Sequence, residues 1–283
     1  MFAFQGCTAL QTATLGKGIT EVDYGTFLGD YALKSVTLPN NLETIGAFSF
    51  QGCTALKTLT IPQKVKKIAN GAFRDTAIKF TLPEGSLFEV KDEMLLSKDG
   101  KTIYYVPNTF RGEVVIPNGI ETINGAAFAD CKGVSKAHLP ASIREIKLMA
   151  FENTSLYQLT LDVVNPSDIK LGEDVFGKTM DYSRCELFVP EAYKATEPWK
   201  RFTIKASTTL TAPATGSLQI GLEGRTLQLY ISQDSSFSLF TLEGEMLLQG
   251  SLQAGSNQIE TAQLPSGVYL LNVGKNSQLI LLP

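Results

Sequence analysis

The chain has 283 residues, of which 43% are hydrophobic and 19% charged, and its net charge is −3. This length is sufficient for two domains, and this composition excludes a disordered chain. The charge argues against a nucleic-acid-binding protein, which needs a basic face, and no apolar run approaches the roughly 20 residues that a membrane-spanning helix requires.

Phenylalanine recurs with a fixed period in the N-terminal part of the chain. A constant step of 23 residues predicts stacked structural repeats, and therefore one extended surface rather than a central pocket. Repeat residues start directly after Met1, although a solenoid normally begins with an atypical capping unit, so we expect either that a preceding segment has been removed or that Met1 is an added start. The residues at this step are Phe4, Phe27, Phe50 and Phe73, followed later by Phe128 and Phe151.

Each repeat contains an alternating apolar and polar segment that ends in Leu or Ile, often followed by proline. This alternation predicts a β-strand with one buried face. A second short strand, a tight turn and a short helical segment that carries Phe should complete each unit, with the Phe rings packed in a spine. The predicted strand ends, which give a mostly β or α+β solenoid of about eight coils, are Leu15, Leu38, Ile61, Leu82, Ile116, Leu139, Leu161 and Val189.

The period is broken at two places. Between Phe73 and Phe128 the extra residues include Asp99-Gly100 between two apolar runs, which predicts an inserted β-hairpin. Tyr104 and Tyr105 lie in this hairpin. We expect one of them to pack and the other to be exposed, where an aromatic ring is a contact point for a protein or a glycan. The second break, between Leu161 and Val189, predicts a longer loop.

Cys7, Cys53 and Cys131 each follow a repeat Phe by three residues. This shared position predicts small buried side chains. A disulfide is excluded for Cys7 and Cys53, because two coils of about 4.8 Å separate them by nearly 10 Å. A metal site has no support from a Cys-x-x-Cys motif or a nearby His.

The Ala-Phe, Cys-x-x-Leu and Leu/Ile-Pro spacings, the inserted hairpin and the segment 189–202 resemble the BspA-like leucine-rich repeats of bacterial surface proteins. The resemblance covers residues 1–206. It implies an extracellular or cell-surface protein, in some members linked to adhesion to host proteins, and it carries no catalytic residues. Tyr193, Trp199 and Phe202 should close the last coil, since a solenoid must cover its terminal core.

After residue 206 the 23-residue step is absent. Residues 207–216 read as a linker, and residues 217–283 contain seven short alternating runs separated by turn signals, which predicts a small all-β sandwich. The segments 237–246 and 264–273 resemble the C-terminal sorting domains of type IX secretion cargo. That resemblance implies export across the outer membrane of Bacteroidetes; a plain β-sandwich module is the alternative.

The residue before each strand end forms a row on the face opposite the core. One interpretation is that these residues simply suit an exposed strand, and the other is that they form a polar binding strip. His138, the only histidine, should be an exposed surface residue between Val115 and Thr160. The row consists of Thr14, Thr37, Thr60, Thr81, Val115, His138 and Thr160.

These features predict a non-enzymatic cell-surface or secreted protein that binds a protein or extracellular-matrix ligand through its repeat face. The alternative is a glycan-binding module that uses exposed tyrosines. No catalytic, cofactor-binding or metal-binding residue is predicted, and neither half of the chain offers a cationic patch for nucleic acid.

Overall fold

Parallel β-strands stacked one coil apart form most of the N-terminal region. A computed structural model describes residues 1–163, 165–189, 191–206, 219–223, 225–231, 233–242, 244–274 and 276–282. These residues form 25 strands and four 3₁₀ helices and contain no α-helix. The predicted linker, 207–216, lies outside the described residues.

Eighteen strands lie in the repeat region and seven in the C-terminal region. The repeat region contains β1 Thr12–Thr14, β2 Glu21–Val22, β3 Ser35–Thr37, β4 Thr44–Ile45, β5 Thr58–Thr60, β6 Lys67–Ile68, β7 Lys79–Thr81, β8 Phe88–Lys91, β9 Met94–Ser97, β10 Thr102–Tyr105, β11 Arg111–Val115, β12 Thr122–Ile123, β13 Gly133–Leu139, β14 Glu145–Ile146, β15 Gln158–Leu161, β16 Lys170–Leu171, β17 Glu186–Val189 and β18 Thr203–Ala206. The C-terminal region contains β19 Gln219–Glu223, β20 Thr226–Ile231, β21 Ser235–Phe240, β22 Met246–Leu252, β23 Gly255–Glu260, β24 Gly267–Val273 and β25 Asn276–Leu282. The 3₁₀ helices are Pro166–Asp168, Tyr182–Arg184, Glu191–Ala195 and Trp199–Arg201.

The repeat strands form two faces. The long-strand face consists of β1, β3, β5, β7, β11, β13, β15, β17 and β18, and the short-strand face includes β2, β4, β6, β10, β12, β14 and β16. All eight predicted strand ends lie at, or directly after, the end of a strand on the long-strand face. The eight strands that carry these ends, β1 to β17 on this face, are connected by about seven turns. The mostly β solenoid is therefore confirmed.

Stacked Phe rings form the centre of the solenoid. Consecutive rings lie nearly parallel, with interplanar angles of 6–20°. The predicted spine is therefore present, and it extends to Phe176, which the 23-residue step does not reach. The centroid distances are 5.3 Å for Phe4–Phe27, 5.3 Å for Phe27–Phe50, 5.9 Å for Phe50–Phe73, 4.9 Å for Phe128–Phe151 and 5.9 Å for Phe151–Phe176.

The segments that carry Phe are turns, and the prediction of short helices is wrong. In an α-helix the Phe N–H would donate to the carbonyl four residues earlier. Here the N–H of Phe27 donates to the carbonyl of Ser49 and that of Phe50 to the carbonyl of Ala72, both at 2.8 Å. Phe48 also has a positive φ of 52°, which a right-handed helix does not permit. Main-chain bonds between coils thus replace bonds within a helix.

The inserted hairpin forms where it was predicted. Strands β9 and β10 pair antiparallel on either side of Asp99-Gly100, and β8 pairs with β9, so the insertion is a three-stranded antiparallel unit. Strand β10 also pairs in parallel with β12. The insertion therefore continues the short-strand face.

Both sides of this insertion are buried, because it separates two hydrophobic cores. Leu95 and Tyr105 pack with Phe73 into the core of the N-terminal half of the solenoid. Met94 and Ile103 pack into the core of the C-terminal half of the solenoid. The ring of Tyr105 contacts that of Phe73 edge-on at 5.8 Å, so a tyrosine ends the N-terminal part of the Phe spine.

An ion-pair cluster links the coils on either side of the insertion. Arg74 Nε donates to Asp130 Oδ2 at 2.7 Å, and Arg74 Nη1 lies 2.6 Å from Glu152 Oε2. The three side chains are only 12%, 16% and 21% exposed. Gly71 N–H also donates to the carbonyl of Gly125 at 2.7 Å, so the two halves are joined by main-chain and side-chain contacts.

Aromatic side chains close the C-terminal end of the solenoid core, as predicted. Tyr193, Trp199 and Phe202 are buried, and their rings contact one another. The hydroxyl of Tyr193 donates to the carbonyl of Val163 at 2.8 Å. Burial of the aromatic rings excludes water from the last coil.

The C-terminal strands form a small sandwich. One sheet has the order β19-β20-β23 and the other β22-β21-β24-β25, and all neighbours are antiparallel. The core between them includes Leu229, Leu239 and Leu271. All seven strands correspond to predicted alternating runs.

Replacing Phe50 with Ala should lower the free energy of unfolding by about 3–5 kcal/mol, because the ring is fully buried between two others. Denaturant unfolding followed by circular dichroism measures the loss. Phe4→Ala is the matched control: its ring stacks on one neighbour but is exposed, so its loss should be clearly smaller. Equal losses would contradict the role of the spine.

Replacing Arg74 with Met should destabilise the protein by about 3–5 kcal/mol, because two largely buried carboxylates lose their common cation. Lys66→Met removes a solvent-exposed pair with Glu43 and should cost no more than about 1 kcal/mol. The same unfolding experiment compares them, and a similar small loss for both would show that the cluster does not join the two halves.

Candidate binding surface

The predicted row of residues lies in register along the long-strand face. Thr14 pairs with Thr37, and Thr60 pairs with Thr81. His138 lies between Val115 and Thr160, as the spacing predicts. The structure therefore aligns the row in three segments, Thr14 with Thr37, Thr60 with Thr81, and Val115 with His138 and Thr160, and we call the row the threonine strip.

Exposure divides the threonine strip into two parts. Thr14, Thr37, Thr60, Thr81 and Val115 are exposed. His138 and Thr160 are half-buried. The strip continues on the next strands with Phe188 and Lys205, which the sequence reasoning missed although Phe188 also precedes a predicted strand end. The N-terminal part is therefore the accessible, uncharged part.

A cavity opens beside the N-terminal part of the threonine strip. Strands β3 and β5 belong to separate sheets, so the long-strand face is interrupted between them. The cavity at this interruption has a volume of about 590 Å³, and its lining includes Thr37, Thr60, Asn40, Gln63 and Lys64. Hydroxyl and amide groups, together with the ammonium of Lys64, thus line a depression beside the threonine strip.

His138 is held by a carboxylate, which corrects the expectation that it is a free surface residue. Its Nε2 lies 2.9 Å from Asp162 Oδ2, and the two side chains are 22% and 3% exposed. Burial lowers the pKa of His138, but the hydrogen bond and charge of Asp162, with a smaller effect of Glu113, outweigh burial and raise it above its ordinary value. The pair consists of a histidine and a carboxylate alone, and a catalytic triad would also need a nucleophile bonded to the histidine.

Neither tyrosine of the hairpin is exposed, and Tyr105 is too deeply buried to contact a ligand. Tyr105 is 3% exposed, and its hydroxyl donates to the carbonyl of Thr76 and accepts from the N–H of Ile78. Tyr104 is half-buried, with its ring edge-on to Phe88 at 5.3 Å. Both side chains are covered because the hairpin lies between two cores.

The tyrosines that are exposed lie elsewhere. They are Tyr24, Tyr31 and Tyr157. No periodic signal marks them, since Tyr24 and Tyr31 flank the turn of one early coil and Tyr157 precedes β15.

The cysteines are buried thiols, except at the first coil. Cys53 and Cys131 are fully buried, as predicted, and so is Cys185. Burial raises the pKa of each of these three thiols to about 12, which keeps them protonated at neutral pH. Cys7 is exposed, contrary to the prediction, because the outer side of the first coil faces solvent.

Neither metal ligands nor a membrane-spanning helix is found in the part of the chain that the structure describes. No group of three or more His, Cys, Asp or Glu residues there could share a metal ion. No helix among the same residues has the length and apolar character needed to cross a membrane.

Two family models match the chain. The model described as the BspA type leucine rich repeat region matches residues 1–97 and 104–188 in six copies, which is more than half of the chain. The model described as the secretion system C-terminal sorting domain matches residues 212–281. No curated protein matches the chain.

Solved structures of bacterial repeat proteins are similar. A leucine rich cell surface protein from Faecalibacterium prausnitzii A2-165 is 29% identical with a TM-score of 0.50, and the match covers 66% of this chain and 52% of that chain. This chain thus spans about half the length of that protein. A leucine-rich repeat protein from Eubacterium ventriosum ATCC 27560 shows the same fold at 16% identity, with a TM-score of 0.53 and coverage of 74% of this chain and 69% of that chain.

Replacing Asp162 with Asn should lower the pKa of His138, because the charge that raises it is removed while burial remains. Since the chain has one histidine, NMR titration of its ring protons measures this pKa directly.

The same pair should make stability depend on pH. A raised folded-state pKa means that the stabilisation is complete below about pH 6.5, the unfolded value, and is lost as pH rises through the folded pKa. The stability difference between wild type and Asp162→Asn should therefore shrink at alkaline pH. An unchanged histidine pKa in the variant would contradict the assignment.

Proposed function

The chain belongs to the BspA-type leucine rich repeat family, and we propose that it is a non-enzymatic binding protein whose long-strand face contacts protein or extracellular-matrix ligands. Its C-terminal sorting domain makes it an extracellular or cell-surface protein. A fold shared with a family of surface repeat proteins does not by itself identify a ligand. The proposal therefore depends on the surface of this chain.

The observation that carries the proposal is the uncharged, exposed and aligned N-terminal part of the threonine strip. A second row runs beside it, with exposed hydroxyl residues at Thr12, Ser35 and Thr58 and then the exposed Lys79 on β7. Burying hydroxyl groups that find partners costs less than burying charges, so the face formed by β1, β3 and β5 can be covered by another protein without a large desolvation penalty.

The dimensions suit an extended contact. The strip crosses seven strands, and paired strands lie about 4.8 Å apart, so its length is sufficient for one side of a standard protein–protein interface. Contacts would add up over several coils, as in other solenoids. The cavity between Thr37 and Thr60 gives such an interface one depression into which a partner side chain can insert.

We further propose the division of the chain into a repeat domain over residues 1–206, a linker over 207–216 and a sorting or anchoring domain over 217–283. The repeat core and the sandwich core have no residue in common among the described residues. In this arrangement the C-terminal domain directs export, and the repeat domain supplies the binding face.

The double variant Thr37→Asp/Thr60→Asp should weaken binding to a matrix protein about tenfold or more, because two carboxylates would be desolvated in the contact. Screening the full chain against immobilised collagens, laminin and fibronectin identifies the ligand, and biolayer interferometry compares the variants. Thr20→Asp is the matched control, an exposed threonine just before β2 on the short-strand face, and it should bind as wild type does.

Circular dichroism melting should be similar for all these variants, because the substituted side chains are exposed. If the double variant still binds, or if Thr20→Asp reduces binding equally, the long-strand face is not the ligand-binding face.

A further inference from the structure

A second candidate site lies away from the threonine strip, where the turn of one coil meets that of the next. A cavity of about 490 Å³ opens between the coil of β15 and the coil of β17. Its volume lies within the range of about 300–1,000 Å³ that is usual for small-molecule sites. The lining includes Tyr157, Asn153 and Ser155 from the first coil and Thr179, Asp181 and Arg184 from the second.

An irregularity of the repeat creates this cavity. Leu159 and Leu187 are paired across the sheet, yet Leu159 lies eight positions after Phe151 whereas Leu187 lies eleven positions after Phe176. The additional residues form a turn and the 3₁₀ helix Tyr182–Arg184, which make up one wall. The coils that keep the 23-residue period do not contain this excursion.

The excursion is held in place by its own contacts. Asp181 Oδ1 accepts hydrogen bonds from the N–H and the hydroxyl of Ser183, at 3.2 and 2.6 Å. The ring of Tyr182 lies edge-on to Phe202 at 4.8 Å, and the guanidinium of Arg201 lies 4.0 Å from the centroid of the Tyr182 ring. A wall fixed in this way loses little entropy when a ligand binds.

Tyr157 provides an aromatic surface at the opposite wall. Its side chain is 49% exposed. Its backbone is fixed on both sides, because its N–H donates to the carbonyl of Ser135 at 3.0 Å and its carbonyl accepts from the N–H of Glu186 at 2.8 Å. Lys136, on the preceding strand, lies 5.8 Å from the ring centroid. The ring therefore extends from a fixed backbone position and is open to solvent.

Hydrogen-bond donors and hydrogen-bond acceptors line the same cavity as this ring. Arg184 is exposed and forms no ion pair within the described residues, so its guanidinium can donate. The second oxygen of Asp181 can accept, as can the amide oxygen of Asn153, whose Nδ2 already donates to Asp130 at 2.8 Å. Hydroxyls of Ser155 and Thr179 can do both.

We propose that this cavity binds a saccharide, with one sugar ring stacked on Tyr157 and its hydroxyls bonded to Asp181 and Arg184. Sugars combine an apolar C–H face with hydroxyls that donate and accept, which matches an exposed aromatic ring beside a carboxylate and a guanidinium. A simple anion would use Arg184 but would be repelled by Asp181 and would leave the ring unused. The site is independent of protein binding by the long-strand face.

The test is binding of the full chain to an array of immobilised neutral and acidic oligosaccharides, followed by calorimetry with the tightest-binding free oligosaccharide. Tyr157→Ala should weaken this binding about tenfold or more, whereas Tyr157→Phe, which keeps the ring, should change it less than about threefold. Arg184→Gln should also reduce it, through loss of a charged donor.

Two controls make the outcome specific. Tyr31→Ala removes another exposed tyrosine from the turn of an early coil, and Thr37→Asp/Thr60→Asp alters the long-strand face; neither should change saccharide binding. Loss of protein binding and loss of saccharide binding are thereby separate results. The absence of any array signal, or a signal that Tyr157→Ala leaves intact, would overturn the saccharide site.

Discussion

The structure depends on contact between equivalent turns of neighbouring coils. In the coils that have a regular neighbour, the N–H of the repeat Phe donates to a carbonyl of the next coil, and the ring stacks on the next Phe ring with centroids 4.9–5.9 Å apart. The main-chain bonds satisfy donors that would otherwise be buried without partners, and the rings fill the interior. Strand pairing on both faces then follows, because the turns hold the coils in register. The aligned rows of the long-strand face are a consequence of that register.

The inserted hairpin shows how an irregular element is accommodated in such a stack. Leu95 and Tyr105 face one core and Ile103 faces the other, so the insertion forms a shared wall between two cores. Because the insertion displaces the regular coil, Arg74 pairs with residues more than 50 positions later. An interruption of the long-strand face between β7 and β11 accompanies it.

Regular and irregular parts of the solenoid offer different chemistry to ligands. The regular coils repeat one small polar side chain at one position, which favours an extended contact built from similar small contributions. The longer coil before β17 departs from that pattern and brings an aromatic ring, a carboxylate and a guanidinium around one cavity. If both proposals hold, one fold presents an extended face for a macromolecule and a concave site for a sugar ring.

The sequence alone determined the period, the eight strands, the Asp99-Gly100 hairpin, the aromatic closure of the last coil and the seven strands of the sandwich, because these follow from local alternation and turn chemistry. Only the tertiary structure decided that the Phe segments are turns, that Tyr105 is buried, and that His138 pairs with Asp162 and Arg74 with Asp130. The reason is physical: the period tells which backbone positions are neighbours, but burial and side-chain pairing depend on how the side chains of adjacent coils pack and on which coil the insertion displaces, and neither leaves a mark on the local pattern.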